Sequence, residues 1–327
     1  MKPIIEVKDL EVTFKTQEGN LKIVDHVSFS VNKGETLGIV GESGCGKSVT
    51  SLSLMGLLPP IAKVTNGSIK LKDKELVGLK KRQYRSIRGK EIAMIFQEPM
   101  TSLNPVYTIG QQLMELIRNH NSISKKDARK HAIKMLDLVG IPRSDELIDE
   151  YPHQLSGGMR QRVMIAMAMS CDPEVLVADE PTTALDVTIQ AQILELMAGL
   201  QKKIGMSMIL ITHDLGVVAE VCDRVVVMYA GQVVEECSIE KLFSNPSHPY
   251  TQGLLSSVPN LDEEKKKLSS IPGTVPSPNE MPKGCRFAER CSYVHEKCYM
   301  KNPDLFITGA NSRSRCWLNE TEEEAVI

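Results

Sequence analysis

The spacing of apolar positions predicts alternating strands and helices along most of the chain. The N-terminal stretch "IIEVKDLEVTF" alternates apolar and polar residues, which is typical of a half-buried strand. The short runs "LGIV", from Leu37, and "EVLVADE", from Glu174, have the apolar character of buried parallel strands. Helical patterns follow from Lys47 to Leu58 and again in "VMIAMAMS", after Arg162. The pattern predicts an α/β fold.

Two segments depart from this alternation. Residues 98–165 contain a Lys-rich amphipathic stretch between apolar helical patterns, and we interpret them as a helical subdomain. After Pro259 comes a charged run and then "IPGTVPSPNEMPKG", whose prolines and glycines exclude a helix or a central strand. We therefore predict a main domain, 1–258, and a C-terminal extension, 259–327, that begins as an extended arm.

Composition and charge narrow the class of protein. The chain is 42% hydrophobic and its formal net charge is -2, so no global electrostatic attraction draws it to nucleic acid. We interpret the basic run from Leu79 to Lys90 as a solvated helix face. No apolar stretch reaches the length of a membrane helix, and the N-terminus lacks the features of a signal peptide. We expect a cytosolic protein with reduced thiols.

The strand–turn–helix around Gly41 predicts a phosphate site. Residues 41–48 match G-x-x-x-x-G-K-[ST], the P-loop, in which glycines let backbone N–H groups point at phosphate oxygens. Lys47 is expected to reach the β- and γ-phosphates, and the Ser48 hydroxyl is expected to bind Mg²⁺. The residues expected around the nucleotide are Gly41, Glu42, Ser43, Gly44, Cys45, Gly46, Lys47, Ser48 and Val49.

Two carboxylates end a second predicted strand. Asp179 suits the Walker B role of binding Mg²⁺ in a P-loop protein. Glu180 follows one residue later, where it could activate a water for attack on the γ-phosphate as a general base. With a P-loop upstream, this pair predicts nucleotide hydrolysis.

The sequence "LSGGMRQR", Leu155 to Arg162, adds a second anion-binding helix start. One nucleotide does not need two such starts in one chain, but two chains that face each other head to tail do. "LSGG" is the signature of the ATP-binding cassette (ABC) ATPases, and the chain resembles that family over residues 4–250. The resemblance implies a P-loop NTPase cassette, with a RecA-like core, an antiparallel β-subdomain and a helical subdomain.

Four further positions match this family. Phe14 resembles the aromatic residue that stacks on adenine, and Gln97 resembles the Q-loop glutamine, a catalytic residue and Mg²⁺ ligand. Asp186 resembles the D-loop residue that crosses the dimer interface, and His213 resembles the switch histidine that contacts the γ-phosphate.

The resemblance also implies a mechanism. ATP is expected to bind between the P-loop of one protomer and Ser156, Gly157 and Gly158 of another, in a homodimer or in a heterodimer with a paralogous ATPase. Binding closes the pair because the nucleotide touches both halves, and hydrolysis reopens it.

Two motifs resemble the importer branch for peptides, "EPMTSLNPVYTIG" from Glu98 and "HPYTQGLLSSVP" from His248. The implied partners are two transmembrane permease subunits and, through them, an extracytoplasmic solute-binding protein. The chain would lie peripherally on the cytoplasmic face of the membrane and bind no nucleic acid. The alternative is a soluble ABC ATPase that acts on nucleic acid or ribosomes.

Four of the eight cysteines lie in the predicted extension: Cys285, Cys291, Cys298 and Cys316. This segment has few apolar residues, so a metal centre held by four thiolates would stabilise it. The spacing does not decide between zinc and an iron–sulfur cluster, and His295 could replace one thiolate. The resemblance to dipeptide and oligopeptide importers implies a [4Fe–4S] cluster, with zinc as the alternative.

Of the remaining cysteines, Cys45 lies in the P-loop at a helix start. Such a position is compatible with a lowered thiol pKa, although a small residue that simply fits the loop is the simpler interpretation.

Overall fold

The computed structural model of the protein describes residues 2–17, 19–97, 102–183, 186–257 and 270–320. The chain divides into two compact units. One unit comprises Met1–Ile4, Val31–Thr36 and Gly78–Ile211, and is called the signature unit here. The other comprises Ile5–Ser30, Leu37–Val77 and Thr212–Ile327, and is called the P-loop unit.

The described strands, in chain order, are β1 (Ile5–Thr16), β2 (Gly19–Val31), β3 (Thr36–Val40), β4 (Ala62–Leu71), β5 (Lys74–Glu75), β6 (Ile92–Ile95), β7 (Val175–Asp179), β8 (Ser207–Ile211), β9 (Arg224–Tyr229), β10 (Gln232–Ser238), β11 (Phe306–Gly309) and β12 (Ser312–Ser314). The described α-helices are α1 (Lys47–Met55), α2 (Lys81–Ile87), α3 (Ile109–His120), α4 (Lys125–Leu138), α5 (Ser144–Leu147), α6 (Gly157–Met169), α7 (Val187–Ile204), α8 (Leu215–Val221), α9 (Ile239–Ser244), α10 (Pro249–Ser256) and α11 (Glu296–Met300).

An antiparallel sheet in the order β2-β1-β4-β5 forms one part of the P-loop unit. Strand β1 pairs with β4 from Ile5 opposite Leu71 to Phe14 opposite Ala62. A bulge interrupts this pairing after Lys8, and apolar side chains alternate along β1, as the sequence pattern predicts. This sheet matches the antiparallel β-subdomain that the family resemblance implies.

A second set of strands in the P-loop unit has the order β11-β12-β10-β9-β3. Strand β3 lies parallel to β9, with Leu37 opposite Arg224, and all five of its residues are buried. Strands β9, β10, β12 and β11 then pair antiparallel. The continuous apolar run in β3 is what a strand buried on both faces requires.

The signature unit contains the parallel strands β6, β7 and β8, with Ile92 opposite Val175 and Val175 opposite Ser207. Its described residues 102–169 contain helices α3 to α6, joined by turns and loops, and no strand. Helix α6 begins at the signature motif and buries apolar residues such as Val163 and Ile165. The helical content agrees with the predicted subdomain, although its boundaries, about 98–165, stay a prediction.

One predicted helix is shorter in the structure than the sequence pattern indicates. Helix α1 ends at Met55 rather than Leu58, because Gly56 adopts a left-handed conformation with φ 59° and caps it.

The basic run forms helix α2, whose buried side chains are Tyr84 and Ile87, so its basic face is solvated as predicted. No helix in the described part of the chain combines the length and apolarity that membrane crossing demands.

The C-terminal extension differs from the predicted arm in one respect. Residues 271–284 contain no helix or strand, as expected, but β11 and β12 form a hairpin that pairs with β10. Ser314 of β12 lies opposite Glu235 of β10. The sequence analysis missed this hairpin because strands this short are selected by an available sheet edge rather than by their own pattern. The predicted boundary at 258/259 lies outside the described residues.

Candidate functional site

The P-loop of the P-loop unit connects β3 to α1 through a tightly packed turn. Gly41, Gly44 and Gly46 have φ values of 153°, 79° and 100°, which favour glycine. A Cβ added at Gly41 would lie 2.1 Å from the carbonyl oxygen of Met228, so only glycine fits there. Ser43 and Gly44 are exposed at the tip of the turn, while the following helix is anchored in the core. The geometry is that of a phosphate-binding loop.

Lys47 lies across this loop. Its side chain is almost entirely buried, and Nζ donates hydrogen bonds to the carbonyl oxygens of Gly41, at 2.7 Å, and Glu42, at 3.1 Å. Ser48 and Val49 are half-buried at the start of α1. The ammonium group is thus aimed along the concave side of the turn, where phosphate oxygens would sit.

The structure does not support a lowered pKa for the thiol of Cys45. The residue is fully buried, and burial raises the pKa of its thiol even though the Lys47 ammonium opposes that effect. Backbone N–H groups of Lys47 and Cys45 at the helix start also lower this pKa, but burial outweighs them. The simpler interpretation fits the structure: Cys45 is a small buried residue that contributes its backbone to the loop.

In the signature unit, the structure brings two predicted catalytic residues into direct contact. Gln97 Nε2 donates a hydrogen bond to Glu180 Oε2 at 2.9 Å, and Thr183 Oγ1 donates to the same oxygen at 3.0 Å. Asp179 is buried at the end of β7, and Glu180 follows with a φ of 47°. A non-glycine residue in this region is uncommon, so the turn holds the Glu180 carboxylate at a cost in backbone energy.

The signature motif begins α6. Ser156 is the N-cap residue, and its Oγ accepts a hydrogen bond from the Met159 N–H at 3.3 Å. Ser156 and Gly157 are exposed, whereas a Cβ added at Gly158 would lie 3.2 Å from Ile189 on α7. The helix start therefore presents its N–H groups to the surface of the signature unit.

Asp186 has a local role in the structure. Its Oδ1 accepts a hydrogen bond from the Ile189 N–H at 2.9 Å and so caps α7, while the residue itself is exposed. The helix starts at Ser156 and Asp186 are thus both capped by the side chains of these residues.

Phe14 and His213 both belong to the P-loop unit. Phe14 is half-buried on β1, opposite Ala62, and His213 is exposed directly before Asp214, the N-cap of α8. A half-buried aromatic side chain and an exposed imidazole are compatible with contacts to a nucleotide.

All four cysteines of the extension line one small cavity in the P-loop unit. His295 lines it as well. Burial, together with the neighbouring thiols, raises the pKa of Cys285 and of Cys316 to about 11, and the same two causes raise the pKa of Cys291. Such thiols stay protonated at neutral pH unless a positive centre stabilises the thiolates.

A second group of candidate ligand atoms lies elsewhere in the P-loop unit. Within the described residues, Glu11, Asp25 and His26 form the group whose ligand atoms all lie within 4.8 Å of one another, and no three of the cysteine sulfurs do. Asp25 is already paired with Lys22 and Arg286, so this second group is an ion-pair network.

Three residues near the P-loop were missed in the sequence analysis. Tyr250 Oη accepts a hydrogen bond from the Glu42 N–H at 2.9 Å, and Arg290 Nη1 lies 3.1 Å from both carboxylate oxygens of Glu42. Phe287 packs on the Tyr250 ring with 5.4 Å between centroids. The motif that begins at His248 was a signal for Tyr250, but nothing local pointed to the other two.

Comparisons with known proteins agree with this geometry. The family model described as "ABC transporter" matches residues 24–183, and that described as "Oligopeptide/dipeptide transporter, C-terminal region" matches residues 234–298. The oligopeptide transport ATP-binding protein AppD of Bacillus subtilis is 53% identical over 98% of both chains. The dipeptide transport ATP-binding protein DppD of the same organism is 53% identical over 100% of this chain and 98% of its own.

Solved structures match the cassette part of the chain. The dimeric post-hydrolysis structure of the ATP-binding cassette MJ0796, bound to ADP and Pi, has a TM-score of 0.65 at 27% identity, and covers 72% of this chain and 98% of that one. The structure of cbiO1 from Clostridium perfringens, part of an ABC transporter complex, has a TM-score of 0.64 at 28% identity, and covers 75% of this chain and 92% of its own.

Proposed function

The chain belongs to the oligopeptide/dipeptide branch of the ABC transporter family, and from that premise we propose how its residues bind and hydrolyse ATP to power peptide import. It is an ATPase subunit that dimerises and works with a membrane permease. The alternative of a soluble ABC ATPase acting on nucleic acid or ribosomes is not favoured, since the relatives are named for peptide transport.

We propose that the P-loop amides and Lys47 hold the β- and γ-phosphates, while Phe14 stacks on the adenine. Ser48, Gln97 and Asp179 offer the oxygen ligands that Mg²⁺ prefers, and Mg²⁺ shields the charge of the phosphate oxygens. Support comes from the packed loop around Gly41 and from the buried ammonium of Lys47.

Glu180 acts in this proposal as the general base for hydrolysis. The proposal rests on one observation: hydrogen bonds from Gln97 and Thr183 hold the Glu180 carboxylate just after the end of β7. The same bonds couple the Q-loop glutamine to the base, so movement of Gln97 changes the orientation of Glu180. His213 is proposed to contact the γ-phosphate.

The signature motif is proposed to complete the site of a second cassette. Ser156 and Gly157 are exposed at the start of α6, where amides and a hydroxyl can contact the γ-phosphate bound to a partner's P-loop. Asp186 would lie at the same interface. We propose that the partner is a paralogous ATPase or a second copy, and that the pair binds two permease subunits served by an extracytoplasmic solute-binding protein. This would keep the chain at the cytoplasmic face of the membrane.

The variant Glu180→Gln tests the role of the base. Loss of a general base should lower kcat about 10²- to 10⁴-fold, while ATP still binds because the phosphate ligands remain. ATP should also trap a dimer, measured by light scattering with and without nucleotide. Thr183→Ala, which removes one hydrogen bond to the carboxylate, is the matched control and should lose far less activity. If Glu180→Gln hydrolyses ATP at close to the wild-type rate, Glu180 is not the base.

For the extension, 259–327, we propose that Cys285, Cys291, Cys298 and Cys316 hold a [4Fe–4S] cluster. The donor set fits, because four thiols line one cavity and four thiolates can hold such a cluster. The cluster would stabilise thiolates that burial otherwise disfavours.

Protein purified without oxygen tests this proposal. It should be brown, with iron and sulfide in equal amounts and absorbance at about 400 nm that is lost in Cys291→Ser. His295→Ala serves as the control and should keep the colour. Colourless protein that contains one equivalent of zinc would replace the cluster with the zinc alternative.

A further inference from the structure

Glu42, the second residue of the P-loop, is held at every polar group of its backbone and side chain. Its N–H donates to Tyr250 Oη at 2.9 Å, and its carbonyl oxygen accepts from Lys47 Nζ at 3.1 Å. Its carboxylate accepts hydrogen bonds from Arg290 Nη1, which lies 3.1 Å from both oxygens. A carboxylate next to Gly41 would repel a triphosphate, so its pairing with a cation matters for nucleotide affinity.

Arg290 is built into the core of the P-loop unit rather than placed on its surface. Its side chain is only 6% exposed. Nε donates to the Pro272 carbonyl oxygen at 2.9 Å, and Nη1 lies 3.3 Å from Tyr229 Oη. The guanidinium lies over the ring of Tyr229, 5.6 Å from its centroid. A charge this buried needs a partner of opposite sign, which Glu42 supplies.

The turn that contains Arg290 lies between two cysteines in the sequence, Cys285 and Cys291. Arg290 ends the 3-10 turn Ala288–Arg290 and directly precedes Cys291. The Ala288 N–H donates to the Cys285 carbonyl oxygen at 3.1 Å, and the Cys285 N–H donates to the Cys298 carbonyl oxygen at 2.7 Å. The position of the guanidinium therefore depends on how the three cysteine-bearing segments are held together.

We propose that Arg290 is a positioning residue that neutralises Glu42 and so couples the cysteine site to the affinity of the P-loop for ATP. The second half of this inference rests on the proposed cysteine-bound cluster; the first half does not. When the four thiols hold their centre, the turn keeps Arg290 against Glu42. When the centre is lost, the turn relaxes, Glu42 regains an uncompensated charge, and nucleotide binding weakens.

A double-mutant cycle tests the coupling between Arg290 and Glu42 in the full-length chain. The dissociation constant of a fluorescent ATP analogue should rise about 5- to 30-fold in Arg290→Gln, because one negative charge near the phosphates is exposed. KM for ATP should rise likewise, with kcat changed less than twofold. In a Glu42→Gln background, Arg290→Gln should change the dissociation constant less than twofold. An equal loss in both backgrounds would mean that Arg290 acts by packing alone, and would overturn the proposal.

A control comes from the same part of the chain. Arg313 pairs with Glu236, and Nε of Arg313 lies 3.2 Å from that carboxylate. Arg313→Gln should leave the dissociation constant unchanged. A weakening equal to that of Arg290→Gln would indicate a general effect of removing cations from the extension, and would count against the proposal.

The coupling between the cysteine-bound cluster and ATP affinity is tested separately. Arg290→Gln should keep the absorbance at about 400 nm while it loses affinity. Cys291→Ser should lose both in the wild-type background, but should lose little further affinity when combined with Arg290→Gln. Undiminished affinity in Cys291→Ser would refute the coupling to the cysteines. Colourless wild-type protein would refute the cluster and leave the Arg290–Glu42 cycle to be decided separately.

Discussion

Phe287 provides a test of whether the C-terminal extension is part of the folded core around the P-loop. It is 4% exposed, and its ring lies 5.2 Å from Tyr229, 5.4 Å from Tyr250 and 5.9 Å from His248, measured between centroids. All three partners belong to the unit that contains the P-loop. Phe287→Ala would therefore remove the centre of an aromatic cluster that joins the extension to that unit.

The magnitude follows from burial. A phenylalanine side chain covers about 150–200 Å², which corresponds to roughly 4–5 kcal/mol at about 25 cal/mol per Å². Truncation of buried phenylalanines to alanine costs about 3–5 kcal/mol. Tyr293→Ala is the matched control, since this aromatic residue of the extension is 57% exposed and should change stability by less than about 0.5 kcal/mol.

Urea unfolding measures the effect with two signals. Trp317, the one tryptophan of the chain, is 7% exposed and reports on the extension by fluorescence. Binding of a fluorescent ATP analogue reports on the P-loop. In Phe287→Ala both midpoints should fall together, because the extension and the loop share one core. If only the tryptophan transition moves, or if neither midpoint falls, the extension is an independent module and the reasoning fails.

Three further outcomes follow from the P-loop unit. Gly41→Ala should weaken ATP binding at least tenfold, because its Cβ would meet Met228, whereas Gly44→Ala adds only backbone strain; equal losses in binding titrations would contradict this. Cys45 should resist N-ethylmaleimide in native protein and react after unfolding, as measured by peptide mass spectrometry; rapid native labelling would refute its burial. Asp25→Asn should cost about 1.5–3 kcal/mol at neutral pH. Burial raises the pKa of Asp25, but its cationic partners outweigh burial and lower this pKa. The difference in stability between wild type and variant should therefore be full above about pH 4 and should shrink as acid protonates the wild-type carboxyl. Urea midpoints measured across this pH range test the expectation, and a difference that persists at low pH would contradict it.

Local patterns were enough to predict the elements that carry the nucleotide chemistry. Strand β3, the P-loop and α1 are contiguous, so apolar periodicity, glycine and the Lys47–Ser48 pair could be recognised without knowledge of the fold. The same holds for β7 with Asp179. The family resemblance supplied Gln97 as well, and the structure adds its hydrogen bond to Glu180.

Long-range packing decided what these patterns could not. The burial of Cys45, the hairpin of β11 and β12, and the contact between Arg290 and Glu42 each depend on residues distant in sequence. Arg290 and Glu42 are separated by 248 positions, and no periodicity or spacing links them.

The sequence by itself thus determined the α/β class and the phosphate-binding turn, because each depends on neighbours along the chain, and it supplied the residues proposed to act on ATP. The tertiary structure alone decided that the extension packs on the P-loop, which side chains hold that loop, and that four cysteines share one cavity. The physical reason is that burial and pairing are properties of the surroundings of a side chain, and folding assembles those surroundings from segments that have no pattern in common.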